Sequence, residues 1–476
     1  MRHVVWLLLL TIGCQPATHY EKLPKEAAVS TKPTPRETEP TPPDPTLAWI
    51  DRRPQTAQPA VPIVFVHETA GAEWVGLPKF WNPPPTDAEK AAAALALGPL
   101  TAVAPLAETK AVVKIKVPAG LDDPRPYLPA SDPPTLDKWE LGRRLFYDQA
   151  LLGEGVESCA TCHDPRTGFA DNGLGHFGVN TPTLINCVFN RRQFWDGRVA
   201  ALEEVVQRTP EDETAPPAKD SRTFRHVWGG VVRRLRSSAG YTQLFLNAFG
   251  TPPTQDAVGK ALATYLRTLL ADDSVYDRAL RVQSAERAPQ LAAAYYEKVL
   301  DEAALKKLGL EGKPKADAAK RINEGYRLFH DLEEHKAGCV RCHSGREFTD
   351  GGFHNLGVGF REFLPGREPG RFASLPLGEK DRTLIGAYKT PTLRGLLRTA
   401  PYFHDGSAAT LEEAVQFHLK GGEKNEYLDA ELRDPKDADR QRVSDLTPQE
   451  VSDLVLFLRA LDGEDVDAAV GPPAAK

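Results

Sequence analysis

The pentapeptide Cys159-Ala160-Thr161-Cys162-His163 recurs as Cys339-Val340-Arg341-Cys342-His343. C-x-x-C-H is the attachment motif of c-type haem. Two sulfurs separated by two residues reach the vinyl groups on one porphyrin edge, and the adjacent histidine reaches the iron. A redox C-x-x-C pair or half a zinc site would use the same cysteines. Neither explains why the flanks repeat too. Glu140-Leu141-Gly142-Arg143-Arg144-Leu145-Phe146-Tyr147-Asp148 leads into the first motif, and Glu324-Gly325-Tyr326-Arg327-Leu328-Phe329-His330-Asp331 into the second. Each lead-in reads as an amphipathic helix followed by a short loop. Two copies of one unit, each carrying a covalent c-type haem at Cys159, Cys162, His163 and at Cys339, Cys342, His343, is the simplest account.

Composition narrows the iron chemistry. Met1 is the single methionine, so the histidine–methionine ligation common in cytochromes c is not open to the mature chain. Histidine, tyrosine, water or an open position remains. Of six cysteines, four lie in the two motifs, Cys14 lies in the leader and Cys187 stands alone. No disulfide framework is implied, and Cys187 reads as a small buried apolar residue. The net charge of −6 argues against nucleic acid as a partner.

Along the chain, residues 1–14 read as a signal peptide. Arg2 opens it, Val4 to Leu10 is apolar, and Thr11-Ile12-Gly13-Cys14 looks like a lipobox. The expectation is export to the periplasm with a lipid on Cys14 holding the protein at a membrane. Residues 15–60 are a proline-rich disordered spacer. Residues 61–118 are expected to form a small accessory α/β unit: strands at 61–66 and 111–117, with a helix at 87–97. Residues 119–283 carry the first haem motif, 284–320 read as a linker or insertion, and 321–476 carry the second motif. Thr135 and Thr254 are expected helix caps. Thr410-Leu411-Glu412-Glu413 and Thr447-Pro448-Gln449-Glu450 are capping boxes. The first of these opens a helix whose inner face carries Leu411, Ala414, Val415, His418 and Leu419. The tail from Gly463 is expected to fray.

From Leu141 to Leu461 the chain resembles the bacterial di-haem cytochrome c peroxidases and their MauG-like relatives. The resemblance rests on the two lead-ins and motifs, Asn180-Thr181-Pro182-Thr183, Phe194-Trp195-Asp196-Gly197-Arg198, Phe353-His354-Asn355, Ala400-Pro401-Tyr402-Phe403-His404-Asp405-Gly406 and the Leu-Glu-Glu helix. It implies a mainly α fold with two cytochrome c-like haem domains in tandem. The N-terminal haem is then the peroxide site and the C-terminal haem the electron-transfer site. The resemblance gives Trp195 the place of an electron relay between haems, although a core aromatic would look the same. Asn180, Thr399 and Pro401 match an inter-domain calcium site.

His418 falls where the peroxidases carry a methionine ligand and MauG-like proteins a tyrosine, which makes it the expected sixth ligand of the C-terminal haem. Bis-histidine ligation lowers the potential relative to histidine–methionine. His176 lies in the loop that bears a distal histidine in the peroxidases; ligating iron, lining an open pocket and simple exposure all fit. Val205 replaces the family's distal glutamine. Glu211 and Glu213 are the candidates for the lost acid–base group, against the alternative of a solvated acidic loop. His354 and His404 are expected to serve propionates or backbone.

The implied function is an exported di-haem oxidoreductase. It would reduce hydrogen peroxide with electrons from a small cytochrome or cupredoxin, and the resemblance also implies a homodimer. Two alternatives stand beside it: MauG-like oxidation of residues on a partner protein, and a non-enzymatic electron carrier.

Overall fold

The computed structural model describes residues 60–67, 113–149, 158–171, 179–205, 222–333, 336–362, 369–466 and 470. The signal, lipobox and spacer lie outside these residues, as does the helix expected at 87–97. Among the described residues the fold is mainly helical. Ten helices exceed four residues: α1 Leu136–Tyr147, α2 Arg222–Ser237, α3 Ala239–Phe249, α4 Gln255–Leu266, α5 Val275–Ala285, α6 Ala293–Val299, α7 Glu302–Lys307, α8 Lys315–His330, α9 Leu411–Leu419 and α10 Pro448–Arg459. All four expected caps are present. Thr135 and Thr254 each accept from a backbone N–H three residues on, and Thr410 and Thr447 form full capping boxes with Glu413 and Glu450.

The helices enclose two hydrophobic cores. The first holds Trp139, Leu141, Phe146, Phe245, Val258, Leu262 and Tyr265; the second holds Tyr296, Ile322, Phe329, Leu454, Phe457 and Leu458. One helix crossing organises each core. α1 packs on α4, and α8 packs on α10. A glycine in each lead-in sits at the crossing point. A Cβ on Gly142 would lie 1.9 Å from Ala261 O, and one on Gly325 would lie 2.0 Å from Asp453 O. Only glycine lets the backbones meet so closely. The repeated glycines therefore fix the same crossing twice, one turn of helix and a short loop ahead of each C-x-x-C-H.

The structure corrects three expectations. The strands at 61–66 and 111–117 are observed as β1 Ile63–His67 and β2 Val113–Val117, paired in parallel from Ile63↔Val113 to His67↔Val117. They do not stand apart as an accessory unit. Ile63, Phe65, Ile115 and Val117 are buried in the first core. Bonds from Ile63 N to Pro134 O (3.1 Å) and from Leu136 N to Val61 O (2.9 Å) stitch this region to the start of α1. Nor do residues 284–320 form a linker: Tyr296, Leu300, Ala304, Leu305 and Leu308 belong to the second core. The charged, alanine-rich surface of α6 and α7 hides a narrow apolar stripe. The chain leaves the first core at Ala271 and enters the second at Val275, ahead of the expected boundary at 283. The described part of the tail is also held at two points. Glu464 N donates to Asp272 O at 2.9 Å, and Tyr265 Oη donates to Val470 O at 3.0 Å.

Candidate haem-binding and redox site

Cys159–Cys162 form a single helical turn opened by a Ser158–Thr161 capping box. The turn brings His163 N to Cys159 O at 2.9 Å, and in the second motif His343 N reaches Cys339 O at the same distance. His163 Nδ1 then lies 3.1 Å from Phe169 O, and His343 Nδ1 lies 3.0 Å from Phe348 O. A carbonyl only accepts, so each Nδ1 carries the proton and each Nε2 keeps its lone pair. Burial lowers the proton affinity of His163, and burial together with nearby His418 lowers His343 to about 4. Both imidazoles are thus neutral and oriented from behind, the state an iron ligand needs. Burial pushes the thiols of Cys159 and Cys339 up to about 12. Such thiols are poor redox nucleophiles. Both donor sets fit a haem held by two thioethers and one histidine.

His418 repeats the pattern on α9. Its Nδ1 meets Ala414 O at 2.8 Å, and burial keeps it neutral. Leu411, Ala414, Val415 and Leu419 of the same face are buried, as the periodicity predicts. The second half therefore offers two neutral imidazoles, His343 and His418, each with a free Nε2.

His354 is different. Its Nδ1 lies 2.8 Å from Asp429 Oδ2 and its Nε2 2.9 Å from Asp350 Oδ2. Both ring nitrogens donate, which excludes iron ligation, and its partners are carboxylates rather than the expected propionates or backbone. Asp429 first, then the Cys342 sulfur, raise its pKa to about 11. Cys342, Asp350 and His354 also sit close enough to hold a metal ion. The thioether that Cys342 forms with haem removes that possibility.

Trp195 lies at the seam between the cores. Its Nε1 donates to Asn180 O at 2.7 Å, and its own carbonyl accepts from Lys389 N at 2.7 Å. The second half returns the exchange: His404 O accepts from Asn180 N at 2.7 Å. Asn180 and Lys389 each precede a Thr-Pro-Thr. Trp195 and His404 sit in matching turns, with Phe194 and Phe403 at φ 65° and 69°. The seam is a pseudo-two-fold swap of backbone bonds. His404 is buried and stacks on Tyr388 at 3.7 Å.

Of the expected calcium ligands, Asn180 and Pro401 are brought together. However, Asn180 presents its amide N–H groups, donating to Pro401 O at 2.7 Å and Phe403 O at 2.9 Å. The Thr399 hydroxyl turns to Leu396 O at 3.4 Å. His176, Glu211 and Glu213 lie outside the described residues. Val205 packs against the first core. Neighbouring Glu203 is committed to Arg267 at 2.8 Å. Cys187 is buried, with its thiol pushed up to about 12 by burial. Sequence reasoning missed buried Arg394, which faces Asp272, Asp277 and Glu347. The available signal was an arginine following the second Thr-Pro-Thr-Leu where the first copy carries Ile185.

Two C-x-x-C-H turns on two matched helix crossings, each with a pre-oriented histidine, define a di-haem protein of the c type. A family model described as di-haem cytochrome c peroxidase matches residues 136–285. The chain is 32% identical over 343 residues to the methylamine utilization protein MauG of Methylophilus methylotrophus, covering 70% of this chain and 85% of that one. It is 28% identical over 354 residues to the cytochrome c551 peroxidase of Nitrosomonas europaea, covering 73% and 86%. Among solved structures, it is similar to a MauG-like protein associated with microbial copper homeostasis. That match has a TM-score of 0.51 and 25% identity and covers 73% of this chain and 95% of the other. The chain belongs to the di-haem cytochrome c peroxidase and MauG family, which implies two c-type haems, and it is a peroxidase-like oxidoreductase.

Proposed function

We propose that this is an exported, lipid-anchored peroxidase. It reduces hydrogen peroxide at its N-terminal haem with electrons that enter through its C-terminal haem from a small cytochrome or cupredoxin. The observation that carries this reading is the asymmetry of the two halves. His418 stands seven residues after Leu411 in the second half; seven residues after the matching Leu202 is Thr209. A threonine hydroxyl is a poor partner for haem iron, so His343 and His418 would both hold the second iron, whereas this face of the first half would leave its iron a position for substrate.

A haem iron with an open position supplies the site where the peroxide O–O bond breaks; two electrons and two protons complete two waters. The chain does the rest. His163 Nδ1–H, held by Phe169 O, orients the proximal imidazole. Glu211, Glu213 and His176 are the residues to move protons on the distal side. Trp195, bonded to Asn180 and through Asn180 to the His404 backbone, is the aromatic side chain to relay electrons between the halves. A calcium ion would require the Asn180 amide to turn its oxygen toward the Pro401 and Thr399 carbonyls.

The test is low-temperature EPR of the oxidised holoprotein and its His418→Ala variant, with steady-state peroxide reduction by a reduced donor. A high-spin signal, a low-spin signal altered by His418→Ala, and turnover are expected. No turnover by either the oxidised or the half-reduced protein overturns the reading. Identity of 32% to MauG favours oxidation of a partner protein as a second reading. A mass change on an exported partner after peroxide, without donor turnover, would select it.

A further inference from the structure

Three successive carbonyls order the loop behind the second haem motif. Arg346 O accepts from Arg394 Nε at 2.8 Å, Glu347 O from Thr392 Oγ1 at 2.7 Å, and Phe348 O from His343 Nδ1 at 3.0 Å. The first half repeats two of these contacts: Gly168 O accepts from Thr183 Oγ1 at 2.5 Å, and Phe169 O accepts from His163 Nδ1 at 3.1 Å. The third is not repeated, because Ile185 stands in place of Arg394 and Gly168 in place of Glu347. The repeat isolates what the second half has added: a guanidinium and a carboxylate beside the loop that aims its proximal histidine.

The addition is buried, with Arg394 only 2% exposed. Its guanidinium meets Asp272 at 2.5 Å, Asp277 at 3.0 Å and Glu347 at 3.8 Å, and donates to Gly120 O at 3.2 Å. Three ionised carboxylates around one buried cation would leave two uncompensated charges, which costs more than holding protons. Asp277 has the most donors. Burial opposes its charge, but Arg394, Asp272 and Ser274 prevail and lower its pKa. Burial raises Asp272 and so favours its neutral form beside Asp277. Glu347 is left. Neither of its oxygens has a well-aligned hydrogen bond. Arg394, Asp272, Asp277 and Asp122 are the charged groups that act on it; burial outweighs the attraction of Arg394 and of the Asp122 backbone N–H and brings its pKa to about 7. The Glu347 side chain keeps 11% of its surface open. Both carboxyl oxygens are buried, and the adjoining Arg346–Asp122 pair, at 3.2 Å, lies at the surface; exchange of the proton passes by that pair.

We propose that Glu347 is a redox-linked proton site of the C-terminal haem. It binds one proton from water when that haem gains one electron, and returns it when the electron leaves. The electron removes one positive charge at the iron held by His343. The proton restores one on the side chain next to Phe348, whose carbonyl holds the His343 Nδ1–H. The first half has no counterpart, since Gly168 has no side chain to titrate. Electron entry and exit at the second haem, and at that haem alone, thus become pH-dependent through this group.

The inference rests on the C-terminal haem being the electron-transfer haem, and one titration separates the two claims. The holoprotein is titrated potentiometrically, followed by its haem spectra, between about pH 5.5 and 8.5. The C-terminal potential should fall as pH rises, approaching about 59 mV for each tenfold change in proton concentration. Glu347→Gln should flatten that dependence and leave the N-terminal haem unchanged. A C-terminal haem that takes up an electron with a pH-independent potential overturns the inference, as does a slope that survives in Glu347→Gln. A C-terminal haem that accepts no electron overturns the electron-transfer reading instead. If Glu347→Gln does not fold, the wild-type redox infrared difference spectrum decides. A deuterium-sensitive protonated-carboxyl band must appear on reduction, and its absence rejects the site.

Discussion

Replacing Gly325 by alanine probes the crossing on which the second haem motif is mounted. The new Cβ would lie 2.0 Å from Asp453 O and 2.7 Å from Phe457 Cβ, whereas ordinary contact begins at 3.4 Å. The first obstacle is backbone, so no side-chain rotation relieves it; α8 and α10 must part by more than an ångström. Overpacking of this kind costs about 1–3 kcal/mol, and a forced helix shift falls at the upper end. Alanine returns about 1 kcal/mol of helix propensity. A net loss of about 2 kcal/mol is expected, read as a lower guanidinium midpoint for the transition that releases the second haem from its core. Gly229 is the control. It is exposed in α2, and a Cβ there meets nothing within 4 Å. Gly229→Ala should therefore gain about 0.5–1 kcal/mol. The reasoning fails if Gly325→Ala is as stable as wild type, or if Gly229→Ala loses as much.

Three further outcomes can be measured. His418→Met should keep a low-spin iron but raise the C-terminal potential by on the order of 0.1 V, within the ~0.8 V span that axial ligands cover; an unchanged redox titration and EPR spectrum would remove His418 from the iron. His354 has a pKa raised to about 11 in the folded protein, against ~6.5 unfolded. Its stabilising effect is complete below the unfolded value and is lost as pH rises through the folded one. Only the Asp429 and Asp350 contributions survive once Cys342 is a thioether, so the window closes below 11. Across it, the unfolding midpoint should fall more steeply in wild type than in Asp429→Asn. Asn180→Ala strands the Pro401 and Phe403 carbonyls at the seam, at about 1–3 kcal/mol for each group left buried without a donor. Its unfolding midpoint should drop.

What the sequence makes legible is what local spacing controls. Caps at Thr135, Thr254, Thr410 and Thr447 follow from side chains three residues from their donors. The inward face of His418 follows from a 3.6-residue period. The strands flanking 68–112 are visible as strands, but their membership in the first core is not, because that depends on Pro134 and Val61 meeting across a distant stretch of chain. α6 and α7 mislead because their charged residues outnumber the few apolar ones that face inward. Arg394 is the extreme case. In a chain with 59 Lys and Arg residues, an arginine reads as solvated surface. Only folding reveals that Asp272, Asp277 and Glu347 converge on it.

The two halves act as internal controls for one another. Gly142 and Gly325, the paired Thr-Pro-Thr segments and the Nδ1 contacts of His163 and His343 are kept in both. Each serves attachment or aim of a haem. The halves differ, among other places, at Trp195 against His404, Ile185 against Arg394 and Gly168 against Glu347, and in sequence at Thr209 against His418. None of these is required to hold a haem, since one half does without each. They therefore divide labour rather than build the fold, and the expected consequences separate accordingly. A change at a kept position should cost haem attachment or stability. Removing what one half has added at a divergent position, as Glu347→Gln removes a titratable carboxylate, should leave haem bound and shift only its potential, coordination or pH response.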